Sequence, residues 1–257
     1  MWGIADAFSL MTTLPLPREV HSDSLGRAAA RWFWLVGIVL GSIAGGASIG
    51  LSWLLPAPGA AAVVVLLWII LTGGLHMDGL ADTADAAFAS VPRARRLEIL
   101  SDVHHGSFAA VAIAVVVLAK WAGLVSFSSH QMAAAVVIAA VGSRAALAPV
   151  LWAFEPARAT GMAAAMKPGA SMPVVAVSIC VALGAGFVCL GLAGVMLASG
   201  TVIAALAMGA WLSGRFGGMT GDACGAIVET TEALSLLAAA ALFEHGWATA
   251  FPHGFPR

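Results

Sequence analysis

Long apolar runs dominate this chain and decide what kind of fold it can adopt. Of its 257 residues, 61% are hydrophobic and only 10% are charged. A soluble domain of this length does not need so many apolar residues, whereas a helix needs about 20 of them in succession to cross a bilayer. The runs lack the strict alternation that a membrane-spanning barrel requires. The sequence therefore predicts an all-α integral membrane protein, one polytopic domain over residues 1–257 that lies in the lipid bilayer.

Seven apolar runs are long enough, or nearly long enough, to cross the bilayer. They cover residues 32–55, 60–72, 107–127, 132–153, 172–197, 201–213 and 231–247. The helix of the second run can continue through residues 73–85, and a turn is expected at residues 198–200. The runs predict about seven transmembrane helices.

If the seven runs cross the membrane, the basic residues lie almost entirely in the loops on one side of it. If the N-terminus is cytoplasmic, nine of the 12 Lys and Arg residues face the cytoplasm and Arg257 alone lies outside. Positive residues in short loops stay in the cytoplasm, so we expect a cytoplasmic N-terminus and an outer C-terminus. Nearly all acidic residues fall on the cytoplasmic side too, which predicts an active site at that face. The net charge of −1 gives no reason to expect a nucleic-acid partner.

An aspartate-rich motif, GGLHMDGLADTAD, covers residues 73–85 directly after the second run. Asp78, Asp82 and Asp85 are spaced i, i+4, i+7, which places them on one face of a helix. Their mutual repulsion is offset well by Mg²⁺, which prefers carboxylate oxygens and substrate phosphates. We expect all three to be metal ligands; the alternative is an acidic helix start that the helix dipole favours. His76 is a candidate ligand, base or phosphate contact, or a neutral hydrogen-bonded ring.

A second motif, GRFGGMTGDACGAIVETTE, covers residues 214–232. Glycines let a backbone approach a ligand and turn its N–H groups toward an anion, and an arginine adds a fixed cation. Asp222 and Glu229 share a helix face if a helix starts there, and are further candidate metal ligands. The alternative is a flexible loop followed by an acidic helix start. The candidate substrate-binding residues are Arg215, Gly217, Gly218, Thr220 and Gly221.

Other polar residues near the same face are weaker candidates. Arg144 lies inside the fourth run, where a cation is costly unless it pairs with a site acid or a substrate phosphate, or snorkels to the interface. Arg158 and Lys167 suit an anionic substrate or merely orient a loop. His104 can contact phosphate or lie in an ordinary surface loop, and Asp102 is a further site acid or a helix-cap neighbour.

Two acidic clusters beside a glycine-rich loop suit a diphosphate-bearing substrate with one or two Mg²⁺ ions. An acceptor hydroxyl would attack in line, and one carboxylate would position or deprotonate it. Asp82, Asp85 and His76 are the catalytic candidates.

These motifs, together with FSLMTTLPLP at residues 8–17, resemble the cobalamin synthase family, the adenosylcobinamide-GDP ribazoletransferases. Residues 31–37, Arg144, Arg158 and Gly161 are also similar. One departure is at Asp102, where the family usually reads Lys-Asp-Ser-Arg-x-Gly and this chain has histidine at position 104. That substitution puts a phosphate contact by His104 in doubt, since histidine is mostly neutral near pH 7.

The resemblance implies a reaction and its requirements. The family joins adenosylcobinamide-GDP to α-ribazole, or to its 5′-phosphate, and releases GMP; Mg²⁺ is the implied cofactor. The expected location is the cytoplasmic (inner) membrane. A homo-oligomer, or association with other enzymes of the cobalamin pathway, is left open.

Two alternatives come from other classes. A CDP-alcohol phosphotransferase carries D-x-x-D-G-x-x-A-R, and this chain has no arginine after Ala81. A cation-coupled transporter places its site near the membrane midplane and often shows repeated halves. Here the acids lie at one face and no repeat is found, which argues against a transporter.

Overall fold

The computed structural model describes residues 2–14, 25–102, 104 and 106–248. The end of the opening motif at residues 15–17, and Arg18 and Arg257, lie outside them. The regular structure in this part of the chain is helical, apart from one bridge between Pro156 and Met219. The helices are α1 (Trp2–Met11), α2 (Leu25–Ala29), α3 (Phe33–Leu51), α4 (Ala57–Thr72), α5 (Leu75–Phe88), α6 (Arg93–Ile99), α7 (Ser107–Val125), α8 (Ser129–Ala145), α9 (Leu147–Ala153), α10 (Met162–Met166), α11 (Met172–Phe216) and α12 (Gly221–Glu244).

Several of these helices are long and apolar enough to cross a membrane. Within the described residues there are five such stretches: α3, α7, α8 together with α9, α11 and α12. The α4–α5 pair makes a sixth if its two helices are counted as one bent span. The all-α, multi-pass membrane fold predicted from the apolar runs is therefore confirmed.

The aspartate motif forms a separate helix, which corrects the expectation of a continuous helix through residues 73–85. Gly73 and Gly74 have φ values of +63° and +71°. Glycine adopts this left-handed conformation without the steric cost that a side chain adds, and it commonly ends helices. The chain bends by 90° between α4 and α5. Helix α5 therefore leaves the axis of α4 before the three aspartates begin.

Helix α11 folds back on itself. A straight helix of 45 residues would be about 68 Å long, more than twice the hydrocarbon thickness of a bilayer. The helical conformation breaks at Leu190 and Gly191. A Cβ placed on Gly186 would collide with the backbone of Gly194, although residues eight apart in a straight helix lie about 12 Å apart. The chain therefore reverses into two packed arms, α11a (residues 172–189) and α11b (residues 192–216).

The two arms change the count of possible crossings. Counting them separately adds one crossing to the six above, which gives the seven predicted from the apolar runs. The expected turn at residues 198–200 is wrong, because those residues are helical and the reversal comes at residues 190–191. The close approach of Gly186 and Gly194 permits the earlier turn.

Helix α8 lies at the centre of the bundle, and 94% of its candidate span is buried. Helix α3 packs along it through glycines spaced four residues apart. A Cβ on Gly41 would lie 3.0 Å from the Cα of Val137, and one on Gly45 would lie 3.0 Å from the carbonyl oxygen of Ala133. Small residues at this spacing let helix backbones approach closely in a membrane. Helix α12 packs against α8, and α5 packs in turn against α12.

Candidate active site

Helices α5 and α12 cross in close contact where the two motifs meet. A Cβ added to Gly79 would lie 2.9 Å from the carbonyl oxygen of Asp222, and one added to Gly225 would lie 3.2 Å from that of His76. Since both contacts are with backbone atoms, neither position has room for a side chain unless the helices separate. The glycines therefore bring Asp78 of α5 next to the start of α12.

A cavity of about 360 Å³ opens at this crossing, and we call it the crossing cavity. One histidine and two aspartates are among its lining residues: His76 and Asp78 from α5, and Asp222 from α12. The rest of its wall is mostly apolar and includes Leu10, Met11, Phe33, Leu147, Met162 and Met166. The convergence of the aspartate motif with the glycine-rich motif, expected from the sequence, is thus present.

A smaller cavity of about 170 Å³ adjoins it, and we call it the loop cavity. Met162, Gly221 and Asp222 line both cavities. Arg158 and Thr220, two of the predicted substrate-binding residues, line the loop cavity together with Gly221. Asp222 therefore stands at the boundary between an acidic, apolar-walled space and a space that carries a cation.

Two of the polar side chains at the loop cavity, those of Thr220 and Arg158, also have structural partners. The Thr220 hydroxyl accepts a hydrogen bond from the N–H of Ala223 at 3.0 Å, which caps α12. The Arg158 guanidinium donates to the Ser101 hydroxyl at 3.2 Å and to the carbonyl oxygen of Leu97. Arg158 thereby holds the segment after α6 beside the cavity.

Two glycines predicted to contact an anion have packing roles instead. Gly217 has a φ of +78°, and a Cβ there would overlap the guanidinium of Arg93. Arg93 donates to the carbonyl oxygens of Phe216 at 2.7 Å and of Gly217 at 3.1 Å. Gly218 lies against the backbone of residues 155–157, where a Cβ would be 2.5 Å from the nearest nitrogen. Neither glycine lines the crossing cavity or the loop cavity.

Two predicted phosphate-binding cations are engaged at helix ends. Arg215 donates through Nε to the carbonyl oxygen of Ala87 at 2.9 Å, near the end of α5. Lys167 donates to the carbonyl oxygens of Trp152 at 3.0 Å and Phe154 at 3.1 Å, at the end of α9. Cations at these positions satisfy terminal carbonyls and complement the helix dipole. The structure thus shows Arg215 and Lys167 bound to protein carbonyls, which differs from the expected phosphate contacts.

The three aspartates of α5 have different surroundings. Asp78 is exposed at the crossing cavity, and Asp82 is half-buried one turn further along. Asp85 caps α7: its two oxygens accept hydrogen bonds from the N–H groups of Gly106 at 2.5 Å and Ala109 at 3.0 Å. Both oxygens of Asp85 are occupied in this way, so its role as a metal ligand or catalytic group stays a prediction that its contacts do not favour.

His104 is exposed and bonded to its own loop. Its Nδ1 lies 2.9 Å from Oδ1 of Asp102, and its backbone N–H donates to the same oxygen at 3.0 Å. These two hydrogen bonds, the side-chain bond first, lower the pKa of Asp102. Neither residue lines the crossing cavity or the loop cavity, so the expected phosphate contact by His104 has no support in its placement.

Glu229 lies in the helix bundle, in a buried cluster of two cations and two anions. Lys120 Nζ donates to Glu229 Oε2 at 2.6 Å and also to Glu232. Arg144 donates to the other oxygen of Glu232. All four side chains are at least 97% buried. Lys120 also lies 5.0 Å from the centre of the Trp68 ring.

This cluster decides the placement of two residues that the sequence analysis singled out. Glu229 faces Lys120 and lines neither cavity, so its placement is not that of a ligand shared with Asp222. Arg144 pairs with Glu232, an acid of the second motif, which confirms the expected pairing with an acid and gives no support to a contact with substrate phosphate. The pairing explains how Arg144 and Lys120 are tolerated inside the membrane, because a buried charge needs a partner there.

The acids that remain at the crossing cavity fit a metal shared with a substrate. Within the described residues, no three His, Cys, Asp or Glu side chains stand close enough to hold a metal by themselves. Mg²⁺ is usually held by one or two carboxylates together with substrate phosphates. Asp78 and Asp222 supply two carboxylates at one cavity, which suits an ion that arrives with a diphosphate.

Comparison with known proteins identifies the family. The family model described as cobalamin-5-phosphate synthase matches residues 3–240. Relatives named adenosylcobinamide-GDP ribazoletransferase include one from Synechocystis sp., 36% identical over 92% of this chain and 95% of the relative. Others come from Klebsiella pneumoniae (34%; 90% and 96%) and Chlorobaculum tepidum (36%; 93% and 94%). No solved structure gives a significant match. The chain belongs to the cobalamin-5-phosphate synthase family.

Proposed function

We propose that this protein joins adenosylcobinamide-GDP to α-ribazole, or to its 5′-phosphate, in a late step of cobalamin biosynthesis. The products are adenosylcobalamin, or its 5′-phosphate, and GMP. The observation that carries the proposal is the family match over residues 3–240, which includes every described residue of both cavities. The chemistry of those cavities supports it independently.

The reaction is a phosphoryl-type transfer at the boundary between the cavities. A ribose hydroxyl oxygen of the acceptor forms a bond to the corrinoid-side phosphorus, the bond from that phosphorus to GMP breaks, and GMP leaves. In this proposal Asp78 or Asp222 orients this hydroxyl and takes its proton, and the lining of the crossing cavity by both residues supports that role. Asp82, one turn from Asp78 on α5, is a further candidate for the same task.

Charge must be neutralised when a diphosphate is cleaved. Mg²⁺ held by Asp78 and Asp222 would offset the phosphate charges and stabilise the leaving GMP. At the other side of Asp222, the loop cavity presents Arg158 and the start of α12 at Gly221. Helix N-termini favour anions, so this side suits the phosphates of the donor.

We also propose that the site faces the cytoplasm from the inner membrane. The excess of Lys and Arg in the loops at the cavity end of the bundle supports this orientation. Sealed vesicles of opposite orientation test it. We expect turnover of added substrates only where the cytoplasmic face is outward, and equal turnover in both preparations would contradict it.

The activity itself is tested with purified protein in detergent or reconstituted vesicles. Adenosylcobinamide-GDP, α-ribazole and Mg²⁺ are added, and GMP and the corrinoid product are followed by mass spectrometry. We expect GMP and adenosylcobalamin to form in equal amounts, and only when both substrates are present. GMP release without α-ribazole would indicate hydrolysis, and no release with either acceptor form would refute the proposed function.

A further inference from the structure

We propose that the crossing cavity is the binding subsite of the acceptor nucleoside, with its aromatic base among the apolar side chains and a ribose hydroxyl at His76. The proposal rests on the function proposed above and assigns one of its two substrates to one place. Three independent features of the cavity support it: its size, its polarity and an unpartnered buried nitrogen.

The size of the cavity favours the smaller substrate. Cavities that bind small molecules usually measure about 300–1,000 Å³, and the crossing cavity is near the lower limit at about 360 Å³. A corrinoid carries a macrocycle, an adenosyl group and amide side chains, and most of it must lie outside such a space. A nucleoside with one fused aromatic base can be enclosed.

The polarity of the cavity also favours the acceptor nucleoside over the diphosphate-bearing donor. Its wall contains Met11, Met162 and Met166, whose polarisable thioethers pack well against flat aromatic rings. No lysine or arginine is among its described lining residues, whereas the adjoining loop cavity has Arg158. A diphosphate therefore has a cation on the loop-cavity side of Asp222, and an uncharged base is suited to the other side.

His76 supplies the third feature. His76 is a lining residue of the crossing cavity but is only 5% exposed, and its Nδ1 has no hydrogen-bond partner within the described residues. Buried polar atoms are nearly always paired, so we take an unpaired one in a residue that lines a cavity to await a group that arrives with a ligand. A ribose hydroxyl can donate to a ring nitrogen or accept from it. Bound there, the ribose stands beside Asp78 and Asp222, where its reacting hydroxyl is needed.

The first test narrows the cavity. Leu75 lines the crossing cavity but not the loop cavity, and at 51% exposed it tolerates a larger side chain. We expect Leu75→Trp to raise the KM for α-ribazole by roughly tenfold, while the KM for adenosylcobinamide-GDP stays within about twofold. Leu54→Trp is the matched control, since Leu54 is 79% exposed and lines neither cavity, and both KM values should stay unchanged.

The second test addresses His76. We expect His76→Ala to raise the KM for α-ribazole by roughly tenfold, and His76→Gln, which keeps a donor and an acceptor, to recover part of that loss. Direct binding of α-ribazole to the purified protein without donor can be followed by tryptophan fluorescence. It should be strongest for the wild type, weaker for His76→Gln and weakest for His76→Ala.

The outcomes separate this proposal from the function on which it rests. If the wild-type protein makes adenosylcobalamin but Leu75→Trp raises only the KM for adenosylcobinamide-GDP, the cavity binds the donor and the subsite assignment is wrong. If Leu75→Trp and His76→Ala leave the KM for α-ribazole unchanged, the assignment is wrong as well. If the wild-type protein releases no GMP, the proposed function itself fails.

Discussion

The buried charge cluster allows a quantitative prediction for Lys120→Met. Lys120 is 2% exposed and is the partner of Glu229 at 2.6 Å. Without it, Glu229 loses the cation that donates to it inside the bundle, while Glu232 still pairs with Arg144. Removing one partner of a buried ion pair costs about 3–5 kcal/mol. We expect the free energy of unfolding to fall by about that amount.

The assay is reversible unfolding in mixed detergent micelles, with three variants compared in parallel. Lys120→Met combined with Glu229→Leu removes both charges and leaves the Arg144–Glu232 pair, so most of the lost stability should return. Arg95→Met is the matched control, because the Arg95–Glu98 pair is exposed and such pairs contribute about 0–1 kcal/mol.

Two results would refute this reasoning. One is a loss of less than about 1 kcal/mol for Lys120→Met, which would mean that Glu229 does not need the lysine as its partner. The other is a double variant no more stable than Lys120→Met, which would mean that the lysine stabilises the bundle by packing rather than by charge.

Three further predictions concern the site. Gly79→Ala places a Cβ 2.9 Å from the backbone of Asp222, so we expect a loss of about 1–3 kcal/mol of stability and slower GMP release. Gly46→Ala, which meets open space, is the control. Asp85→Asn keeps one of the two bonds to α7, so unfolding assays should show a loss of about 1 kcal/mol with GMP release retained, and abolished release would assign Asp85 to the reaction. Removing divalent cations with a chelator should stop GMP release and added Mg²⁺ should restore it; undiminished release would exclude a metal requirement.

The helical membrane fold could be predicted because the length and composition of the apolar runs indicate helices that cross a bilayer. Two changes of direction, the 90° bend between α4 and α5 and the reversal of α11, could not be placed, since each depends on glycines in particular conformations. Gly73 and Gly74 end α4 with positive φ values, and Gly191 does the same between the arms of α11. The chain has 29 glycines, and composition does not tell which of them adopt this conformation.

The meeting of the two motifs was predictable, but the partners of individual charges were not. Glu229 follows Asp222 by seven residues, so the two share a helix face yet stand about 10.5 Å apart along the axis. That depth places Glu229 opposite Lys120 in the bundle instead of at the cavity. Similarly, the carbonyl ends of α5 and α9 attract cations as phosphates do, so the sequence alone did not distinguish these partners for Arg215 and Lys167.

The central claim is that Asp78 and Asp222, brought together by the crossing of α5 and α12, carry out the transfer. Its most direct test is the rate of GMP release by Asp222→Asn at saturating adenosylcobinamide-GDP and α-ribazole. Loss of a positioned general base lowers rates by about 10²–10⁴-fold, and we expect a loss of that size in a protein that remains folded in the membrane. Glu98→Gln, at an exposed acid outside both cavities, should keep the wild-type rate. A wild-type rate for Asp222→Asn would contradict the account.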